Sequence, residues 1–203
     1  MFDVLIIGGG AAGMSCALII GSALEKPFAK NKKAGLIAHQ KASHLQSALF
    51  NNVLGLQPGT LGTSILESGK KQLSDLYPLL EQIANEKVLE IKHRNGYFEV
   101  ITNKQSHCSK SIVIATGYAQ PFSIKGCEDY LIPHRMAKPE KNRVQLKNTS
   151  HLVAPNLYVA GSLAGWRSQY AIACGSGAQV ATDVLTKWNN GQHIKIHDKK
   201  KEL

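Results

Sequence analysis

The chain has four cysteines and no Cys-x-x-Cys pair. Cys16, Cys108, Cys127 and Cys174 are scattered, which excludes a local redox disulfide and the common zinc spacings. Cys16, on the first predicted helix, and Cys174, in a stretch of small residues, read as buried packing residues. Long apolar runs are also missing. None approaches the ~18 residues of a membrane span, so no membrane association is expected. The apolar start has no basic region ahead of it, carries Asp3 and breaks into glycines, so it reads as folded chain and not as a leader. The expected compartment is the cytoplasm. Acidic residues are scarce: 14 against 24 lysines and arginines, for a net charge of +10. None occurs between Glu25 and Glu67. Lys30, Lys32, Lys33, Lys41 and the run Lys199-Lys200-Lys201 carry no interleaved aromatics and no groove-reading motif. They read as a solvated basic face, suited to an anionic cofactor or an acidic partner and not to nucleic acid.

What is present is concentrated at the start. Asp3-Val4-Leu5-Ile6-Ile7 runs into Gly8-Gly9-Gly10-Ala11-Ala12-Gly13. Leu5, Ile6 and Ile7 are apolar without alternation, as a strand covered on both faces requires. Gly8, Gly10 and Gly13 fit G-x-G-x-x-G. In that pattern Gly8 permits the tight turn, Gly10 lets a pyrophosphate approach the backbone, and Gly13 lets the helix pack on the strand. A helix over 11–24 presents its N-terminus to the phosphates. The expected ligand is a dinucleotide.

Further along, Pro27 closes the first helix and residues 35–39 form a second parallel strand. The fingerprint's ribose carboxylate is absent there, and His39 or Gln40 takes its place as a hydrogen-bonding group. Residues 41–61 read as a long loop. Residues 62–80 have helical spacing, with Thr63 or Ser64 as cap and Glu67 completing a capping box. Residues 88–101 form a hairpin about Asn95-Gly96. Residues 106–110 lead into another strand, the buried Ile112-Val113-Ile114-Ala115, with its turn Thr116-Gly117. Residues 118–144, with Pro121, Pro133 and Pro139, read as an irregular surface connector. Residues 145–150 read as a short extended piece. Residues 156–161 are the last buried strand and glycine turn, 162–169 a loop, and 170–188 a helix rich in small residues, ended by Gly191. The expected architecture is α/β and Rossmann-like, in three layers, with a parallel sheet and a small antiparallel meander. Residues 1–191 form one domain and 192–203 a frayed basic tail.

Three separated motifs now stand in order: Gly8-x-Gly10-x-x-Gly13, Ile114-Ala115-Thr116-Gly117 and Leu157-Tyr158-Val159-Ala160-Gly161. With the loop from His44-Leu45-Gln46 to Gly55 and the stretch Ser168-Gln169-Tyr170-Ala171, the chain resembles the FAD-binding domain of thioredoxin-reductase-like flavoproteins, the pyridine nucleotide-disulfide oxidoreductase type. The resemblance implies an extended FAD lying along Ile7, Gly8, Gly9, Gly10, Ala11, Ala12 and Gly13, its pyrophosphate on residues 9–12. Its adenosine end would lie near His39 and Gln40. His44 and Leu45 would pass the flavin, and Ala115, Thr116 and Gly117 would pack on the cofactor. Gly161 and Ser162 would meet the ribityl region. Gln169, Tyr170 and Ala171 would lie at the isoalloxazine edge.

Three departures shape the functional reading. Ser162 stands where that family has Asp. The span 117–156 is short, with no second glycine fingerprint for an NADPH domain. The redox Cys-x-x-Cys is missing, so the chain is not a thioredoxin reductase by itself. The expectation is a minimal FAD-dependent oxidoreductase of unassigned substrate. The alternative is a non-catalytic or partner-dependent FAD subunit whose electron donor site lies on another chain. An NAD(P) module without flavin fits less well, because the two later motifs are present. Expected partners are a redox protein or an NAD(P)H donor, with a homodimer as a further arrangement. No catalytic residue is assigned. His44, Tyr170 and Trp166 read as packing or ring shielding, and His39 with His44 lacks a third ligand for a metal.

Overall fold

The computed structural model describes residues 1–39, 43–118 and 122–197. The chain starts with strand β1 (Val4–Ile7), helix α1 (Ala11–Ala23) and strand β2 (Ala34–Ala38). The short strands β3 (Leu49–Phe50) and β4 (Thr60–Leu61) precede helix α2 (Gly62–Leu76). Next come β5 (Glu81–Ala84), β6 (Val88–Arg94), β7 (Tyr97–Thr102), β8 (Ser106–Ser109) and β9 (Ile112–Ile114). The last elements are β10 (Leu131–Pro133), β11 (Val144–Leu146), β12 (Leu152–Ala154), β13 (Leu157–Val159) and helix α3 (Tyr170–Trp188).

Six strands form the central sheet in the order β12-β13-β9-β1-β2-β5, parallel except for the edge strand β12. The strands alternate between two cores. Val4 and Ile6 face a layer built from the three helices. Leu5 and Ile7 face the antiparallel meander β6-β7-β8, through Val88, Ile91, Phe98 and Val100. Val4, Leu5 and Ile6 have no exposed surface. Covered on both faces, β1 therefore reads as an unbroken apolar run. Among the described residues, no helix is long and apolar enough to cross a membrane.

Several local expectations are corrected. Helix α2 ends at Leu76 and not at residue 80, because Pro78 disfavours helical backbone at Tyr77, whose φ is −133°. The capping box does not form. Leu61 is the N-cap, and the Gly62 amide donates to the Ala48 carbonyl at 2.8 Å, so Thr63 and Ser64 lie inside the helix. The long loop 41–61 holds a 3-10 turn at His44–Ser47 and the β3–β4 pair. Residues 118–144 are not wholly irregular: β10 and β11 pair antiparallel, and β11 begins at Val144, inside the expected connector. The tail is not frayed throughout, since Ile194 is buried in the helix-side core; residues 198–203 lie outside the described residues. Cys174 is half-buried, whereas Cys16 is fully buried and burial pushes its thiol up.

Candidate functional site

Strand β1 is where the sheet changes direction. From it the chain moves to β2 and β5 on one side, then returns to β9 and β13 on the other. Ligands of open α/β sheets bind outside the carboxyl ends of the strands at this reversal. A cleft of about 340 Å³ opens there. Gly8 N–H donates to the Ile37 carbonyl at 2.9 Å and Ala115 N–H to the Ile7 carbonyl at 2.8 Å, which holds the three strand ends together.

The glycine loop is built by close approach. A Cβ on Gly13 would stand 1.8 Å from the Gly8 carbonyl oxygen, so the loop folds back onto the first turn of α1. Helix α3 presses on the same turn from outside: a Cβ on Gly177 would lie 1.9 Å from the Ala12 carbonyl oxygen. Gly10 differs, because a Cβ there would meet only Ser43 Oγ, at 3.6 Å. Its front is open cleft. The first intrahelical bond of α1 is Met14 N–H to Gly10 O, at 2.8 Å. The amides ahead of it have no intrahelical partner, and the first turn holds no acidic residue. This end of the cleft suits an anion.

Ile7, Gly8, Gly9, Gly10, Ala11, Ala12, His39, His44, Leu45, Ala115, Thr116, Gly117, Gly161, Ser162 and Tyr170 all line the one cleft. Gly13 does not line it; it supports the loop from beneath. Gln169 and Ala171 do not line it either. The Gln169 side chain folds back to accept from Tyr170 N–H at 3.1 Å, capping α3. Ala171 is one helical step, about 100°, past Tyr170 and faces solvent, so Ala173 takes the cleft side instead. Gln40 lies outside the described residues. His39 Nδ1 is shielded from water and has no hydrogen-bond partner among the described residues. The rings of Phe50 and Tyr170, both lining the cleft, stand 5.0 Å apart. Burial and the neighbouring Cys174 thiol push the Tyr170 hydroxyl up, so it keeps its proton at neutral pH.

Sequence reasoning missed one wall. Glu86 and Lys87, between β5 and the meander, and Val88, the first residue of β6, line the cleft, as do Phe50, Phe122 and Ile124. Glu86 is 4 % exposed. Its carboxylate accepts from Thr102 Oγ1 at 2.8 Å, Gln105 Nε2 at 2.9 Å and His107 Nε2 at 2.8 Å. Burial pushes this carboxyl up, but the three hydrogen bonds and the His107 charge outweigh it and hold it below its usual 4.5. A depressed carboxyl stabilises the fold above the unfolded-state pKa, and that stabilisation is lost as pH falls through the lower, folded value. Glu86→Gln is therefore expected to cost about 2 kcal/mol at pH 7 in urea unfolding. The gap from wild type should narrow steadily below about pH 4.5, where the unfolded-state carboxyl takes up its proton.

Comparison with known proteins bears on this geometry. The family described as pyridine nucleotide-disulphide oxidoreductase matches residues 2–162. The chain belongs to that family. Its match to the oxidoreductase family covers the glycine loop, the meander and the turn at Gly161. Ferredoxin--NADP reductase 1 of Bacillus licheniformis is 30% identical over 141 residues, covering 64% of this chain and 38% of the relative. Ferredoxin--NADP reductase 2 of Listeria welshimeri is 25% identical over 181 residues, 87% of this chain and 47% of the relative. The chain thus spans less than half the length of these two oxidoreductases. Among solved structures, a thioredoxin reductase from Gloeobacter violaceus shares the fold with a TM-score of 0.70 at 15% identity, covering 98% of this chain and 99% of that one.

Proposed function

We propose that the chain is an FAD-dependent oxidoreductase. The observation that carries this reading is the cleft at the sheet's reversal, lined both by an anion-suited glycine loop and by an aromatic pair. The residues present fit the cofactor. The loop is too tight for side chains at Gly8 and Gly13, yet open in front of Gly10. The shielded His39 Nδ1 lacks the partner that an adenosine hydroxyl or ring edge offers. FAD, when bound, supplies hydride and electron acceptance at its isoalloxazine.

Each wall of the cleft serves a different part of the cofactor in this reading. Residues 9–12 and the N-terminus of α1 hold the diphosphate, and His39 with the wall 86–88 holds the adenosine end. Gly117, Gly161 and Ser162 meet the ribityl chain. Phe50 and Tyr170 cover the ring and exclude water. Tyr170, whose hydroxyl is hydrogen-bonded to Cys174 and keeps its proton at neutral pH, would not act as a base.

A second reading, a partner-dependent subunit, is favoured by one surface. Trp166, 42% exposed, lies 4.9 Å below the Arg135 guanidinium and 5.9 Å from the His151 ring. Arg135, Arg143 and Arg167 have no carboxylate partner within salt-bridge distance among the described residues. This face adjoins Ser168 and Tyr170 of the cleft, and Arg and Trp are the side chains that anchor protein interfaces. An acidic electron carrier fits it. Anaerobic titration separates the readings. Flavin bleaching by NADPH or NADH alone supports the autonomous enzyme. Bleaching only with a reduced acidic carrier such as ferredoxin supports the partner-dependent one. A flavin that no donor reduces contradicts both.

A further inference from the structure

The two turns that close the ribityl side of the cleft face each other: a Cβ on Gly117 would lie 3.7 Å from Ser162 Oγ. Among the described residues, no hydrogen bond joins one turn directly to the other. One side chain touches both from behind. His134, at the end of β10, is 6% exposed and does not line the cleft. Its Nε2 lies 2.9 Å from the Ser162 carbonyl oxygen, and its ring meets Tyr118, the residue after Gly117, edge-on at 5.4 Å.

The hydrogen bonds determine the ring's state. The Ser162 carbonyl can only accept, so Nε2 carries a proton. Met136 N–H donates to Nδ1 at 3.1 Å, so Nδ1 carries none. His134 is a neutral imidazole with both nitrogens used. Around it the β10–β11 hairpin is fastened to the same wall. Arg135 Nε donates to the Gly165 carbonyl at 2.9 Å, and Asn148 Nδ2 to the Ala164 carbonyl at 3.2 Å. Arg143 donates to the Tyr118 hydroxyl at 2.9 Å and lies over its ring at 4.1 Å. The Tyr118 ring also meets His44, a cleft residue, at 5.4 Å.

We propose that His134 is a positioning residue for the dinucleotide, the strut that sets the spacing of the 116–118 and 161–162 turns on either side of the ribityl chain. This rests on the FAD reading given above. It gives the short hairpin a role in binding. By fastening Ser162 and Tyr118 from outside, the hairpin shapes the half of the cleft that an adenine nucleotide alone does not reach. Loosening the strut therefore weakens FAD and spares ADP, which needs only the glycine loop and the His39 end.

The test compares FAD and ADP affinities in the full chain, by flavin fluorescence and by calorimetry. Asn at 134 places its amide near the Nδ1 position and cannot reach Ser162. Gln places an N–H near Nε2 and can. His134→Asn should weaken FAD about tenfold, the effect of one lost hydrogen bond to a buried carbonyl, with ADP unchanged and the visible flavin spectrum shifted. His134→Gln should restore both affinity and spectrum. Tyr118→Leu, which removes the ring and leaves the Ser162 bond, should weaken FAD in the same selective way and serves where His134→Asn fails to fold. Equal losses of FAD and ADP, or no loss of either, overturn the strut and leave the FAD reading standing. A wild-type chain that binds ADP and not FAD overturns both.

Discussion

Gly13→Ala is expected to destabilise the fold by about 3 kcal/mol, at the upper end of ordinary overpacking. In a chain of this size that lowers the thermal midpoint by roughly 6–12 °C. The reason is geometric. The added carbon would occupy a point 1.8 Å from the Gly8 carbonyl oxygen and 3.3 Å from Ala115 Cβ. Neither neighbour is the end of a flexible side chain. The Gly8 backbone sits at a φ of +109° and its amide is bonded to Ile37, so it cannot swing away without parting β1 from β2. Helix α1 is equally confined, since α3 presses on its first turn at Ala12. Differential scanning calorimetry of the two proteins checks the shift. A midpoint within about 2 °C of wild type, well short of the shift expected for 3 kcal/mol, would mean that the loop and helix are not in the contact described.

Gly10→Glu should do the reverse: leave the fold and remove the ligand. Gly10 has a φ of −79°, which any residue adopts, and a Cβ there meets nothing nearer than 3.6 Å. The midpoint should move by less than about 1 kcal/mol in equivalent stability, as at other unstrained surface positions. The new carboxylate, however, stands in the cleft where the diphosphate is proposed to lie. Two unit charges about 4 Å apart repel by about 4 kcal/mol at an effective dielectric of 20. FAD affinity should therefore fall at least about 100-fold, which corresponds to roughly 2.7 kcal/mol. Retention of FAD by this variant would place the phosphates elsewhere.

These two glycines show what the sequence reveals and why. The motif Gly8-x-Gly10-x-x-Gly13 is local: its spacing alone implies a strand, a turn and a helix, and the structure has them at Val4–Ile7 and Ala11–Ala23. The meander is equally legible, because Asn95-Gly96 and the alternation at Phe98 and Val100 are local signals. Contacts made by chain folding are not. Gly177 gives only the general signal of a small residue on a helix, and nothing in the sequence pairs it with Ala12. Glu86 follows a four-residue edge strand too short to show a period, and its three donors lie 16 to 21 residues further on. His134 sits in a proline-rich stretch whose pairing with 144–146 needs long-range register. At the other extreme, Gln169 and Ala171 are adjacent in sequence to a cleft residue, but the Gln169 side chain is taken up in capping α3 and the helix turns Ala171 away.

The central claim is that this cleft holds FAD. The direct measurement is equilibrium titration of the purified chain with FAD, followed by absorption and flavin fluorescence, with Gly10→Glu run alongside. The account predicts a yellow complex of one FAD per chain, with the flavin spectrum perturbed on binding and the variant colourless after gel filtration. A wild-type chain that stays colourless, or a variant that binds FAD as well as wild type does, would contradict it.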